Sequence, residues 1–391
     1  MSNTSSLISL FSGIGGFELG FQSQGFKAEV CCEIDPNAQA VLRKRFSEAT
    51  LMSDVADITK LPPVRVLTAG FPCQNLSLVG NNTGINGRDT KIVHDMFRVI
   101  ATNPSPEWLI LENVPFMLWQ HKGEAIQFVT STLSELGYKW AYRVVDARAF
   151  GLPQRRRRVL IVASKIHDPR SVVFGESHAE PEWLRDDGSV PVGFSWTEGR
   201  MGLGWAPNCV PTIKGGSRVG VPSPPAIWFR DSGLIGTPSL EDAERLQGFP
   251  SGWTKVEGLN RDSFRWKLIG NALPVVFGAW LARKIKDPSE PDVGSRERPW
   301  RERVWPNAAY DLGAGIMRVD ISEFPEDKGS EGLASFLLDE VKPLSSKAAL
   351  GFLNRARSGK LKFVDGFLDA VELHANRMKQ DVGNNTLKRA A

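Results

Sequence analysis

The chain has 391 residues, 41% of them hydrophobic, with four cysteines, a net charge of +4 and a pI near 8.8. That length accommodates two or three domains with ample core material, and mild basicity with arginines gathered at Gln154-Arg155-Arg156-Arg157-Arg158 suits a polyanion held in one cleft. Cys31, Cys32, Cys73 and Cys209 show neither metal-ligand nor disulfide spacing, no signal peptide opens the chain and no apolar run spans a bilayer, so the expectation is a cytoplasmic protein with no membrane and no metal.

Leu7 to Phe11 reads as a short strand running into Ser12-Gly13-Ile14-Gly15-Gly16, and Phe17, Leu19, Phe21 and Phe26 continue as a helical apolar pattern. Strand, glycine turn and helix N-terminus make a nucleotide-type site, where glycines admit the ligand and free N–H groups face it. The spacing Gly13-x-Gly15-Gly16 is not GxGxxG, which counts against NAD and FAD. Val30 to Glu33 reads as the second strand, and an acid at its end is placed to bind both hydroxyls of a ribose. Asp54, in Ser53-Asp54-Val55 before a turn, is a candidate acceptor for an adenine amino group. Three such sites in strand order describe a ligand with ribose and adenine but no pyrophosphate, namely S-adenosylmethionine.

Val64 to Ala69 is a buried strand that delivers Gly70-Phe71-Pro72-Cys73-Gln74-Asn75-Leu76-Ser77 to the same sheet edge. Gly70 permits close backbone approach and Pro72 stiffens the turn. A cysteine on such a turn is a candidate nucleophile. Trp108 to Leu111 is another apolar strand, placing Glu112 on that edge, where burial favours a protonated carboxyl. Arg156 and Arg158 alternate at the start of a strand reaching Ala163 and so share a face, with Arg155 and Arg157 turned away. Cys31 and Cys32 are expected in the core.

Phe11 to Gly16, Gly70 to Ser77, Glu112-Asn113-Val114 and Gln154-x-Arg156-x-Arg158 resemble the ordered signature blocks of DNA cytosine-5 methyltransferases of bacterial or phage type. Glu244-Arg245-Leu246-Gln247-Gly248-Phe249-Pro250 and Ile269-Gly270-Asn271-Ala272-Leu273-Pro274 resemble the closing blocks, so the likeness runs from Leu7 to about Lys286. It implies an α/β fold: a Rossmann-like S-adenosylmethionine-dependent methyltransferase lobe, a small inserted target-recognition lobe and a C-terminal α+β extension. It further implies methyl transfer to carbon 5 of a cytosine flipped out of a short double-stranded DNA sequence. The role is restriction-modification or orphan methylation, and any cognate restriction endonuclease need not touch the chain.

The same resemblance implies residue roles. Cys73 adds to cytosine carbon 6, Glu112 serves N3 as acid, and Arg156 and Arg158 contact the base carbonyl and phosphate. Phe11, Gly13, Ile14, Gly15 and Gly16 line the cofactor pocket together with Glu33, Ile34, Asp54, Val55 and Pro72. Asn271 and Ala272 complete it, with Pro274 opening a helix, Val275 to Lys286, that packs beside the first. Gln74, Ser77 and Arg88 are DNA candidates around the nucleophile, where Ser77 to Thr90 reads as a lid. Thr212, Lys214, Arg218 and Arg230, with Trp228, are groove and phosphate candidates in the recognition region. Lys91 departs from the family pattern, standing where a cofactor-contacting leucine is usual.

The expected division is 1–163 catalytic, 164–235 target recognition, 236–286 a return to the catalytic lobe, 287–301 a linker rich in proline and charge, 302–378 an extension and 379–391 a disordered tail. The extension reads as a strand at Gly315 to Ile321 and helices near Leu333 to Leu338, Ser346 to Ala356 and Gly366 to Met378, with accessory DNA contact, dimerisation and bracing all open as its role. Two other functions stay open: methylation of RNA, since a member of the superfamily acts on tRNA, and DNA binding by a catalytically silent relative. Intact Cys73, Glu112 and Arg156 speak against the second.

Overall fold

Strands as uniformly apolar as Trp108-Leu109-Ile110-Leu111 need cover on both faces. The computed structural model, which describes residues 5–72, 88–200, 202–216 and 222–390, supplies it. In chain order the first elements are β1 (Ser6–Leu10), α1 (Gly16–Gln22), β2 (Lys27–Cys32), α2 (Pro36–Arg45), β3 (Thr50–Met52), β4 (Val66–Gly70), α3 (Arg88–Thr102), β5 (Trp108–Asn113), α4 (Glu124–Glu135), β6 (Lys139–Asp146), β7 (Gln154–Arg155) and β8 (Arg157–Ser164). There follow α5 (Arg170–Val173), β9 (Val192–Phe194), β10 (Ala206–Pro207), β11 (Val210–Pro211), β12 (Ala226–Phe229), β13 (Leu234–Thr237), α6 (Leu240–Leu246), α7 (Asp262–Asn271) and α8 (Val275–Lys286). The chain ends with β14 (Glu297–Pro299), β15 (Ala308–Asp311), β16 (Met317–Val319), α9 (Leu333–Phe336), β17 (Lys342–Pro343), α10 (Ser346–Ser358) and α11 (Phe367–Ala390).

Among the described residues the central sheet has ten strands, in the order β14-β16-β15-β6-β8-β5-β4-β1-β2-β3. The run from β3 to β5 is parallel and β8 returns antiparallel to β5. Alternate side chains on each strand divide between two cores. Leu109 and Leu111 pack with Val93, Met96, Ile126 and Val129 of α3 and α4. Trp108 and Ile110 pack with Phe17 and Phe21 of α1 and Phe277, Trp280 and Leu281 of α8. Cys31 and Cys32 lie in the core, as expected. Asp35 caps α2, its Oδ1 accepting from Asn37 N at 2.9 Å, with Pro36 in the first turn.

α8 lies directly against α1, the arrangement the closing blocks imply. The approach is close enough that a Cβ on Gly16 would stand 2.2 Å from Leu273 O, and one on Gly20 2.5 Å from Val275 O. Gly16→Ala is therefore expected to cost about 1–3 kcal/mol through overpacking, read as a lower urea midpoint at unchanged slope. The stretch Asp262–Lys286 meets the length and apolarity of a membrane span, but most of its apolar window is buried and it supplies core helices here.

Among the described residues a second, antiparallel sheet of five strands, β10-β9-β12-β13-β17, draws four strands from 192–237 and its last from the extension. One face is covered by α10 and α11, where Phe194 meets Phe352 and Phe367 at ring distances of 5.3 and 5.1 Å. Three details differ from expectation. The segment 287–301 is not a free linker, since Glu297–Pro299 forms the edge strand β14 of the central sheet. The segment after Ser164 begins inside the catalytic core, where Val172, Val173 and Phe174 are buried beside Trp280. And α11 runs through Ala390, into the segment read as a disordered tail. The extension thus serves both lobes: β15 pairs with β6 of the central sheet, and β17 pairs with β13 of the small one.

Candidate active site

Because β3, β2, β1, β4 and β5 are parallel, their carboxyl ends share one edge, and the order reverses between β1 and β4. Such a switch point opens a crevice for ligands. Phe11 leaves β1 with φ 58°, a left-handed conformation rare for a bulky residue and informative where it occurs. Gly13 follows at φ 56°, and a Cβ placed there meets nothing within 4 Å. Glu33 reaches across from β2, its carboxylate accepting from Gly13 N at 2.7 Å and Asp35 N at 2.8 Å. Burial pushes its carboxyl above the ordinary range, opposed by those backbone donors. Beside it Ile34 is 57% exposed, an apolar side chain left uncovered on a polar edge. Open space at Gly13, a carboxylate and a bare isoleucine fit a ligand with a ribose and a flat aromatic base.

At the end of β5, Glu112 and Arg158 form an ion pair, Nε to Oε1 at 2.7 Å, with both side chains nearly buried. The antiparallel return of β8 creates it, since the start of β8 lies beside the end of β5. Burial pushes the Glu112 carboxyl above its ordinary range, against the opposing pull of Arg158 and Arg156. A Cβ on Gly70 would stand 3.1 Å from Glu112 Oε2, so glycine there gives the carboxylate its room. Asn113 ties the two strand ends together: its Nδ2 donates to Phe71 O at 3.1 Å and its Oδ1 accepts from Val114 N. The β4 edge therefore hands the chain to Phe71 and Pro72 against the Glu112 strand. Cys73, Gln74, Ser77 and Arg218 lie outside the described residues, and Arg88 opens α3.

Several expected residues take other duties. Arg156 is buried, and its guanidinium donates to Ile213 O (3.0 Å), Gly270 O (3.0 Å) and Ala272 O (2.6 Å). These bonds tie Ile213 to the α7–α8 junction and use the guanidinium that was expected to meet the base. Gly15 and Gly16 serve packing: a Cβ on Gly15 would stand 2.3 Å from the Phe46 ring, so of the three only Gly13 has open space at its Cβ position. The side chains of Ile14, Val55 and Ala272 are buried in the apolar cores, leaving their backbones for any cofactor contact. Asp54 caps the turn Val55–Asp57, its Oδ1 accepting from Ala56 N at 2.9 Å. Arg230 is committed to Asp186 by two bonds of 2.6 and 2.9 Å and lies over Trp228, so it is not a free groove contact. Thr212 Oγ1 donates to Arg155 O, and Lys214 pairs with Glu198. Pro72 and Asn271 sit at the edge, Asn271 exposed, and Lys91 is exposed in the first turn of α3.

Asn113, Glu198 and Glu18 were not foreseen. Only Asn113 carried a signal, as the middle of Glu112-Asn113-Val114. Glu18 is buried in α1, its carboxyl pushed up to about 7 by burial and tempered by Ser12.

Comparison with known proteins completes the picture. The sequence pattern described as C-5 cytosine-specific DNA methylase matches residues 5–183. Over 391 aligned residues the chain is 41% identical to the Type II methyltransferase M2.BsuMI of Bacillus subtilis (strain 168), covering 96% of this chain and 100% of that one. The chain belongs to the C-5 cytosine-specific DNA methylase family. It is thus a DNA cytosine-5-methyltransferase whose cofactor is S-adenosyl-L-methionine. The Type II methyltransferase M.MspI of Moraxella sp is 36% identical over 159 residues, which cover 40% of this chain and 38% of that one. In fold, the methyltransferase superposes on S. pombe Dnmt2 with a TM-score of 0.56 at 16% identity, covering 72% of this chain and 98% of that one. That likeness supports the Rossmann-like methyltransferase fold.

Proposed function

We propose that this type II methyltransferase modifies a cytosine flipped out of a short duplex DNA sequence, with Cys73 as nucleophile and Glu112 as the acid at N3. The observation that carries the proposal is the raised, Arg158-paired carboxyl of Glu112 standing where β4 leads toward Cys73. Cysteine burial supports it from the other side. Cys31, Cys32 and Cys209 are buried free thiols, and burial pushes Cys32 and Cys209 each up to about 12, outside the reactive range.

Cytosine carbon 5 is a poor nucleophile in an electron-poor aromatic ring. The Cys73 sulfur forms a bond to carbon 6, and the ring electrons displaced toward N3 are met by the Glu112 proton. Arg158 holds Glu112 in place and offsets the carboxylate once the proton has gone. Bound S-adenosylmethionine supplies the electrophilic methyl group that the now enamine-like carbon 5 accepts. A solvent base then takes the carbon 5 proton, the carbon 6–sulfur bond breaks to release the thiolate, and N3 returns its proton to the Glu112 carboxylate, restoring the ring. Glu33 would hold the ribose, Ile34 the adenine face and Asp54 the adenine amino group, with Phe11, Gly13, Pro72 and Asn271 around them. Gln74, Ser77, Arg88, Lys214 and Arg218 would contact DNA, and the role would be restriction-modification, which the type II relatives support, or orphan methylation.

Incubating the protein with labelled S-adenosylmethionine and either unmethylated duplex DNA or RNA tests this. Label on cytosine carbon 5 at one short DNA motif, mapped by bisulfite sequencing, is the expected result. Transfer to RNA alone would reassign the substrate, and cofactor binding without transfer to either would point to a silent relative.

A further inference from the structure

The C-terminal extension has no place in the chemistry above, yet one end of it is fastened to the rim of the active-site edge. Lys214 lies against the end of α7: a Cβ on Gly270 would stand 2.2 Å from Lys214 C, and one on Gly215 2.4 Å from Asn271 Oδ1. The Lys214 ammonium pairs with Glu198, in the loop joining β9 to β10. That loop closes on itself through Ser195 N to Leu203 O (2.7 Å) and Gly199 N to Gly202 O (3.0 Å). α10 grips its outer side. Arg355 donates from Nη2 to Trp196 O at 2.7 Å and from Nε to Glu198 O at 3.1 Å. Gly359, ending α10, approaches so closely that a Cβ would stand 3.1 Å from both Arg200 Cα and Gly199 O. Its backbone is extended, so glycine is needed there for contact, not for a left-handed turn.

The consequence is that exposed cations of the β9–β10 loop and of the segment after α10 are gathered at one backbone contact. Arg200 and Lys360 are brought side by side by the Gly359 contact, and Lys362 follows two residues on; all three are exposed, and none forms an ion pair with another described residue. The nearby acids are mostly spoken for: Glu198 by Lys214 and Glu372 by Arg357, leaving Asp365. Exposed lysines and arginines held by a fixed backbone, continuous with a substrate edge, suit the phosphates of a duplex, which contribute affinity and orientation without reading bases. A merely solvated charged face would not need Arg355 and Gly359 to fix its position beside Lys214.

We propose that Arg200, Lys360 and Lys362 form a second phosphate-contact surface, by which the C-terminal extension lengthens the protein's footprint on duplex DNA beyond the target site. This rests on the reading that duplex DNA is the substrate. The test is equilibrium binding of the full chain to cognate and unrelated duplexes across a salt series, with Lys360→Ala/Lys362→Ala beside a control, Lys139→Ala/Lys165→Ala, at the opposite sheet edge. The slope of log affinity against log salt is expected to flatten by about 2 for the Lys360/Lys362 variant, at roughly 0.9 per phosphate contact, with roughly tenfold weaker binding for both duplexes at moderate salt. S-adenosylmethionine affinity and melting temperature should stay at the wild-type values. Equal slopes for wild type and the Lys360/Lys362 variant, or an equal loss in the control pair, would overturn the inference. If wild type methylates duplex DNA while the Lys360/Lys362 variant binds as wild type does, this inference alone fails; if wild type does not bind duplex at all, the underlying reading fails with it.

Discussion

Replacing Cys73 with serine is expected to lower methyl transfer to duplex DNA by about 10⁴-fold or more while leaving S-adenosylmethionine binding near the wild-type value. Serine keeps the size and polarity of the side chain but stays protonated at neutral pH, so the addition to carbon 6 has no competent nucleophile. The effect should appear in kcat, because the proposed cofactor site lies chiefly at the ends of β1, β2 and β3 and does not depend on the sulfur. Trapping distinguishes this from a folding defect. Wild type should form a denaturation-resistant adduct with duplex carrying 5-fluorocytosine, whose carbon 5 has no removable proton, and the serine variant should form none. A serine variant retaining substantial transfer would remove Cys73 from the mechanism, since Cys31, Cys32 and Cys209 are buried beyond reach.

The second large effect is expected at Glu112. Glu112→Gln keeps the shape and one acceptor for Arg158 but removes the acidic proton, and general-acid removal costs about 10²- to 10⁴-fold in kcat. The pH profile carries the diagnostic. Burial holds the Glu112 carboxyl above its ordinary range, so the acid form survives to higher pH than an exposed glutamate allows and is lost as pH rises through that raised value. Wild-type kcat should therefore decline as pH rises through that raised value, and the glutamine variant should lack this decline. A glutamine variant with wild-type kcat and an unchanged profile would assign Glu112 to structure alone. Because the variant leaves Arg158 buried without its counter-charge, a modest fall in melting temperature is expected alongside.

The parts of the site legible in the sequence were those built locally. A strand followed at once by a polar or glycine turn places that turn at a sheet's carboxyl edge, and this holds for Phe11 to Gly13, Glu33, Gly70 to Pro72 and Glu112. The order of the blocks carried the family, and the packing of the closing helix on the first followed from it. Within a block, however, spacing alone does not say which side chain faces ligand. Gly13, Gly15 and Gly16 look equivalent in the chain, yet Phe46 and Leu273 O take the space beside the latter two. Arg156 and Arg158 look like one alternating pair, but Arg156 is drawn to carbonyls more than a hundred residues away at Gly270 and Ala272, while Arg158 meets Glu112 across β5 and β8.

The amino-acid sequence by itself determined the strand–turn–helix opening, the acids that end β2 and β5, and the membership of the methylase family, because each depends on neighbours within a few residues or on a fixed order of short blocks. Tertiary structure decided which cations remain free, with Arg230 claimed by Asp186 and Arg156 by backbone, and it decided that the extension is divided between two sheets. The physical reason is common to all of these. A buried guanidinium takes whatever carbonyl or carboxylate the fold delivers to it, and a short edge strand such as Glu297–Pro299 forms only because β16 offers it an unpaired ladder.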